Sequence, residues 1–261
     1  DCVNLAIVGM PNVGKSSLMN GLLQEKKSIV TPIAGTTRDS IDSFLRYCKK
    51  DIRLIDTAGL RKKSKITGDV EFYSTVRTFR VIQDCDVAAV LIDADKGFIN
   101  QDKDIIRHVI ISGKGLIIVV NKWDLLKKNT HTQKKYRQDI IDQYSVLNYY
   151  PILFISVSHN LRTREVLKMA LTVFNERQKK IKTADVNEFI KKAISYHPPP
   201  FIKGKNITIK YGAQVHYSPP IFAFFTNQPS AIPAQYKRYL ENNLRDHFGF
   251  EGIPIKISFR A

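Results

Sequence analysis

The sequence predicts an α/β domain, a mostly parallel sheet with helices on both faces, followed by a small α+β domain. Three observations carry that expectation. Apolar runs alternate with helical spacing through residues 1–181, the pattern of strands joined by crossover helices. The run Leu5-Ala6-Ile7-Val8 leads through a glycine-rich turn directly into a helical pattern. The composition then turns polar and basic at Lys179-Lys180-Ile181-Lys182-Thr183-Ala184, which reads as a linker. The expected domains are therefore 1–181 and 185–261.

The glycine-rich turn is Gly9-Met10-Pro11-Asn12-Val13-Gly14-Lys15-Ser16-Ser17, and the helix after it places Leu18, Met19, Leu22 and Leu23 on one side. Strand, turn and helix in this order are the P-loop pattern. Its glycines let backbone N–H groups close around a phosphate without Cβ clashes, and the helix N-terminus adds its positive dipole end. Lys15 would reach the β- and γ-phosphates, and the Ser16 hydroxyl would ligate Mg²⁺.

Residues 28–39 are rich in Thr, Pro and Gly and read as an exposed loop. Within it, Gly35-Thr36-Thr37-Arg38-Asp39 could offer a hydroxyl to Mg²⁺ and an N–H to the γ-phosphate, or could be a solvated loop. Two strands are predicted at Ile41–Tyr47 and Ile52–Ile55, with Lys49-Lys50-Asp51 as the hairpin turn. The second ends in Asp56-Thr57-Ala58-Gly59. A carboxylate at the C-terminal end of a parallel strand faces the nucleotide crevice and can hold Mg²⁺ through water. Leu60–Asp69 reads as a mobile basic loop. Helical spacing follows at Val70–Ile82, Asp102–Ile111, Gln133–Leu147 and Thr163–Ile181. Buried strands are expected at Val87–Ile92, Gly115–Val120 and Ile152–Ile155.

Past the linker, Asp185 with Glu188 three residues on resembles a helix N-cap. The helix Val186–Ser195 is stopped by His197-Pro198-Pro199-Pro200. Strands are predicted at Lys205–Val215 and Ile221–Thr226, joined through Pro219-Pro220. Pro233 stands where a first-turn proline belongs, opening the helix Ala234–Phe248. A last strand runs Ile255–Phe259. The order is α-β-β-α-β.

The segment that names a base is Asn121-Lys122-Trp123-Asp124. The Asp124 carboxylate can accept hydrogen bonds from guanine N1–H and the 2-amino group. Adenine has no such donors on that edge and would leave the carboxylate unpaired. The Lys122 stem can lie along the base, Asn121 can tie this loop to the P-loop, and Trp123 reads as packing. In Ser156-Val157-Ser158 the Val157 N–H could meet guanine O6.

Forty-one Lys and Arg against 24 Asp and Glu give a formal charge of +17, which points to a polyanionic partner, RNA ahead of acidic protein. No apolar run approaches the ~18 residues that span a membrane, and no secretory signal opens the chain. Cys2, Cys48 and Cys85 have no paired spacing and read as thiols of a reducing cytosol, neither disulfide set nor metal site. A cytoplasmic protein is expected, with no membrane and no DNA partner. Asp1 in place of an initiator Met predicts a piece of a longer polypeptide.

The motifs GxxxxGKS, GTTRD, DTAG and NKWD, in this order, resemble the TRAFAC-class, Era-like GTPases. The stretches Gly59–Lys65, Glu71–Arg77, Gln101-Asp102-Lys103, Tyr239–Arg245 and Phe248–Pro254 narrow this. They are similar to the Der (EngA) family of bacterial ribosome-assembly GTPases, and the resemblance covers essentially the whole chain. That family carries two tandem G domains and a C-terminal KH-like domain. The resemblance implies that this chain is the second G domain, a P-loop GTPase fold, followed by the KH-like domain, with an N-terminal G domain of the same polypeptide missing. It implies GTP and GDP as substrate and product, Mg²⁺ as cofactor, and the ribosomal large subunit and rRNA as partners. It places the GTP contacts at Gly9, Met10, Pro11, Asn12, Val13, Gly14, Lys15, Ser16, Ser17, Asp56, Thr57, Ala58, Gly59, Leu60, Asn121, Lys122, Trp123, Asp124, Ser156 and Val157. The Mg²⁺ ligands are Ser16, Thr37 and Asp56, and the catalytic positions Lys15, Thr37, Gly59 and Leu60. Two departures stand out: Ser156-Val157 where the family has Ser-Ala, and no GxxG between two helices, the usual nucleic-acid clamp.

Hydrolysis would be phosphoryl transfer to water. Where Ras-type enzymes place a water-orienting Gln, this chain has Leu60. Leu60 is either a substituted catalytic position or a packing residue. In related GTPases an Asn at the position of Asn12 coordinates K⁺; a local turn bond is the other reading. The alternatives to a large-subunit GTPase are an Era-like small-subunit GTPase, which the missing GxxG opposes, and a passive RNA-binding module, which intact Lys15, Ser16, Asp56 and Asp124 oppose.

Overall fold

The computed structural model describes residues 2–24, 43–55, 78–127, 129–201 and 206–261. It divides into two compact units at Phe174/Asn175.

In the first unit, a six-stranded sheet runs in the order β2-β3-β1-β4-β5-β6. These strands are Cys2–Gly9 (β1), Ser43–Tyr47 (β2), Lys50–Ile55 (β3), Val87–Asp93 (β4), Gly115–Asn121 (β5) and Ile152–Phe154 (β6). Only β2 is antiparallel to its neighbour. Every residue of β4 and β5 is buried, as a parallel strand between two helical layers must be. The described helices are Lys15–Gln24 (α1), the segment 78–84 (α2), Asn100–Ile111 (α3), Thr132–Gln143 (α4) and Thr163–Arg177 (α5). Leu18, Met19 and Leu22 of α1 are buried, as their spacing predicts; Leu23 is half-buried.

The second unit builds a three-stranded sheet, β7-β8-β9, from Ile209–Tyr217 (β7), Pro220–Thr226 (β8) and Lys256–Arg260 (β9). The first pair is antiparallel and the second parallel. Helices Thr183–Tyr196 (α6) and Ala234–Phe248 (α7) complete the predicted α-β-β-α-β order. Gly212 faces α6: a Cβ there would stand 2.6 Å from Ile190 Cδ1 and from Phe224 Cδ1. Phe222, Phe224 and Ile257 share that buried side.

Several boundaries differ from the sequence reading. The hairpin turn is Cys48-Lys49, with φ of 49° and 64°, and Tyr47 pairs with Lys50. Two left-handed residues suffice for a twist-matched hairpin, so Lys50 and Asp51 belong to the strand. Helix α4 stops at Gln143 because Tyr144 leaves helical space (φ −153°, ψ 83°), and a separate 3₁₀ turn, Ser145–Tyr149, buries Leu147. Helix α6 begins at Thr183 with Lys182 as its N-cap, so Asp185 lies inside the first turn, where its charge meets the dipole. Pro233 is itself the N-cap (φ −67°, ψ 150°), its carbonyl accepting the Lys237 N–H at 3.0 Å. Helix α5 ends at Arg177, and β9 starts one residue later than expected. The unit division precedes the polar stretch because Glu176 accepts the Phe250 N–H (2.7 Å) and Lys179 donates to the Phe248 carbonyl (2.5 Å). The expected Ser28–Asp39 and Leu60–Asp69 loops lie outside the described residues, as does most of the Val70–Ile82 helix.

Candidate functional site

Parallel strands bring their C-terminal ends to one edge, where a doubly wound sheet opens its crevice. Gly9 pairs there with Leu91, and Asp93 with Asn121. The turn from β1 to α1 is held by its neighbours. Gly9 has φ 141°, and a Cβ on it would fall on the Leu91 carbonyl oxygen. Gly14 has φ 100°, and a Cβ on it would fall on the Asn121 amide nitrogen. Asn12 between them takes a left-handed φ of 65°. Helix α1 then opens, the Leu18 N–H donating to the Gly14 carbonyl at 2.9 Å. Lys15 Nζ folds over the turn and donates to Gly9 O (2.9 Å) and Met10 O (2.7 Å). Val13 is buried; Met10 and Ser16 are half-buried; Pro11, Asn12 and Ser17 are exposed.

Asn121, at the end of β5, joins three segments. Its Nδ2 donates to the Val13 carbonyl (2.8 Å), and its Oδ1 accepts the Val157 N–H (3.1 Å). Its carbonyl accepts the Ala94 N–H (2.9 Å). The Val157 amide, expected to face a base edge, is thus taken by Asn121. The next residue, Lys122, is left-handed (φ 61°), and its Nζ meets Asp93 Oδ2 at 2.5 Å. Asp93 is only 4% exposed. Trp123 is buried, with ring centroids 4.5 Å from Phe154 and 5.5 Å from Tyr136, so it packs.

Asp124 faces the 156–159 turn. Ser158 Oγ donates to its Oδ1 (3.4 Å), and His159 Nδ1 lies 3.5 Å from its Oδ2. The Ser156 hydroxyl first, with His159 and Ser158 behind it, holds the Asp124 carboxyl below the usual carboxylate range. Asp124 is therefore held as a carboxylate, an acceptor through both oxygens.

Beside the turn, a cavity of about 190 Å³ is lined by Met10, Pro11, Asn12, Val13, Asp93 and Asp102, among others. Asp102 is 2% exposed. Its Oδ2 accepts the Ile99 N–H that opens α3 (3.2 Å), and its Oδ1 has no hydrogen-bond partner among the described residues. Burial, with Asp93 nearby, pushes its carboxyl up to about 6 against the opposing Ile99 bond.

Nine site positions from the sequence reading form the first segment; of six more, 121–124 with Ser156 and Val157, Asn121 bonds that segment directly and also holds Val157. Thr37, Asp56, Thr57, Ala58, Gly59 and Leu60 lie outside the described residues. Among the described residues no group of three or more His, Cys, Asp or Glu could hold a metal ion. Sequence reasoning missed Asp93 as the partner of Lys122, although an Asp at a parallel-strand end is the signal used for Asp56. It also missed Ser158 and His159 as neighbours of Asp124, for which the sequence holds no signal.

A family profile described as "50S ribosome-binding GTPase" matches residues 4–122, and one described as "KH-domain-like of EngA bacterial GTPase enzymes, C-terminal" matches residues 180–260. Among curated proteins, the chain is 46% identical over 260 residues to GTPase Der of Amoebophilus asiaticus. It covers 100% of this chain and 60% of that protein. GTPase Der of Chlorobium phaeobacteroides is 46% identical over 258 residues, covering 99% and 59%. The chain thus spans about three fifths of the length of the curated relatives it matches. A crystal structure of an Aquifex aeolicus Era variant bound to GDP and an aluminium fluoride covers 99% of this chain and 92% of its own, with a TM-score of 0.52 and 20% identity. That likeness is one of fold.

Proposed function

The chain belongs to the family of the GTPase Der proteins, and from that premise we propose that it binds GTP at this site and hydrolyses it to GDP and phosphate. It acts as a GTP-dependent switch in assembly of the ribosomal large subunit, in the cytoplasm. The G domain, which by the division into units ends at Phe174 and not at the expected 181, and the KH-like domain after it belong to a longer protein with a further G domain before them.

The observation that carries this reading is Asn121. One buried side chain bonds the P-loop at Val13 and the 156–158 turn at Val157, fixing the distance from phosphate cradle to the Asp124 carboxylate. A phosphate cradle tied in this way to a base-reading carboxylate selects guanine, since adenine would leave that carboxylate unpaired. Calorimetry tests it: Asp124→Asn should weaken GTP binding at least tenfold and shift preference toward xanthosine triphosphate. Unchanged GTP affinity refutes the assignment.

The glycines at 9 and 14 let the turn pack as a phosphate cradle must, because a Cβ at either would strike the Leu91 carbonyl or the Asn121 amide behind it. Ser16, Thr37 and Asp56 would hold Mg²⁺, which supplies positive charge against the phosphate oxygens. In hydrolysis water attacks the γ-phosphorus and the bond to the β–γ bridging oxygen breaks; Lys15 stabilises the charge that develops. Leu60 offers no amide to orient that water, so turnover is slow. Asn12, exposed and left-handed at the cradle's rim, would hold K⁺ through its carbonyl oxygen. Phosphate release should be faster in KCl than in NaCl at equal ionic strength, and Asn12→Ala should abolish most of the difference while GDP affinity stays. Equal rates in both salts would assign the compensating charge elsewhere.

A GxxG does occur, at Gly249-Phe250-Glu251-Gly252, but between α7 and β9. Phe250 is fully buried, and Arg245 donates to the Phe250 and Ile253 carbonyls. It is a helix stop, which favours the large-subunit reading over an Era-like clamp.

A further inference from the structure

The face of the second unit's sheet turned away from α6 and Gly212 has an order of its own. Directly opposed residues in paired strands share a face, so three rows cross it. The first is Tyr211, Phe225, Arg260; the second Ala213, Ala223, Ser258; the third His216, Ile221, Lys256. Tyr211 and Phe225 are stacked, ring centroids 4.3 Å apart and planes 11° from parallel. Tyr211 is 46% exposed, and Arg260, Lys256 and His216 are exposed too. Ala223, in the small middle row, is buried. On β8 and β9 the outer rows are two residues removed from the middle one, some 7 Å at ~3.3 Å per residue, and on β7 a bulge between Gln214 and His216 takes up one further residue; an extended nucleotide chain can follow that spacing.

We propose that this face binds an unpaired stretch of RNA, one base stacking on the Tyr211–Phe225 pair while Arg260 and Lys256 take the flanking phosphates. The proposal rests on the ribosomal reading above and gives it a surface. Chemistry favours RNA over a protein partner. No acidic residue stands in the three rows, and residues 175–261 carry fourteen Lys and Arg against six Asp and Glu. An aromatic face exposed beside a guanidinium is the arrangement that holds single strands, bases on rings and phosphates on cations. A duplex keeps its bases stacked inside and gains nothing from the ring. The Gly249–Gly252 turn lies between a helix and a strand with its Phe250 buried, so among the described residues it makes no helix-to-helix clamp, and the open sheet is where bases can be met.

The experiment is fluorescence anisotropy with labelled oligoadenylate and, separately, an RNA duplex of equal length, using the full chain. Tyr211→Ala should weaken oligoadenylate binding about tenfold, the stacking of one base, and leave duplex binding within twofold. Tyr211→Phe, which keeps the ring, should bind as the wild type does. Tyr211→Trp supplies a readout that survives any loss of affinity: its added emission should be quenched by oligoadenylate and not by duplex. If Tyr211→Ala binds both probes like the wild type, or the Tyr211→Trp emission ignores the single strand, the platform is overturned and the face belongs to a protein partner. If the wild type binds neither probe at low salt, the RNA reading itself fails, independently of guanine selection at Asp124.

Discussion

Asn121 satisfies a carbonyl in one loop and an amide in another from a position 2% exposed. Asn121→Ala leaves both unpaired in a buried place, which should cost about 1–3 kcal/mol and be seen as a lowered melting temperature without nucleotide. An unchanged melting temperature would mean that the loops hold themselves. Asp102 makes a prediction of opposite character. Its folded carboxyl sits at about 6 against an ordinary 3.8, so the native state holds that proton more tightly. The stability so gained is full below pH ~4 and is lost as pH rises through about 6; at 1.36 kcal/mol per unit it amounts to at most ~3 kcal/mol. Asp102→Asn cannot ionise, so its melting temperature relative to the wild type should rise between pH 4.5 and 7. A constant difference across that range would deny the shift. The glycines, Lys15 and the 121–124 segment were legible in the sequence because their chemistry dictates residue type at short spacing. Asp93 carried only a strand-end signal that did not name its partner, and Ser158 and His159 carried none, since their partners arrive from distant segments and only folding pairs them.

Among the elements, strands with continuous apolar runs were read almost to the residue, because two helical layers permit nothing else at β4 and β5. Ends were read less well. Tyr144 breaks α4 without any Gly or Pro to announce it, and Lys182 caps α6 without a capping side chain. The sequence marked Asp185 and Pro233 as start signals, and each stands near a helix start but at a different position in it. The tight packing of α6 on β7 was silent in the sequence: it lies in the missing side chain of Gly212. Gly212→Ala would force Ile190 and Phe224 to move from contacts at 2.6 Å, costing roughly 1–3 kcal/mol by overpacking. Urea denaturation should show a lower midpoint for the second unit; an unaltered midpoint would mean that Ile190 yields freely.

At the scale of the whole molecule, charge acts before shape. With 41 basic and 24 acidic residues, binding to ribosomes or rRNA should fall steeply with salt as Lys and Arg release phosphate counterions. Cosedimentation that is flat from low to physiological salt would reduce the excess to a solvated surface. The mostly parallel sheet and the small α+β part after it follow from the alternation of pattern along the chain, whereas the order of strands in the sheet and what the polyanion touches could not be read from pattern or from a count of charges. Strand β4 carries a last consequence. It has partners on both sides, β1 and β5, and no exposed residue. Its amides can meet water only when the first unit opens as a whole. In deuterium exchange, residues 88–92 should therefore be the last of that unit to take up label, and their rate should report its global unfolding free energy directly. GTP should slow them by the same factor by which it stabilises the unit, so that a nucleotide bound at the edge of the sheet is read out at its centre.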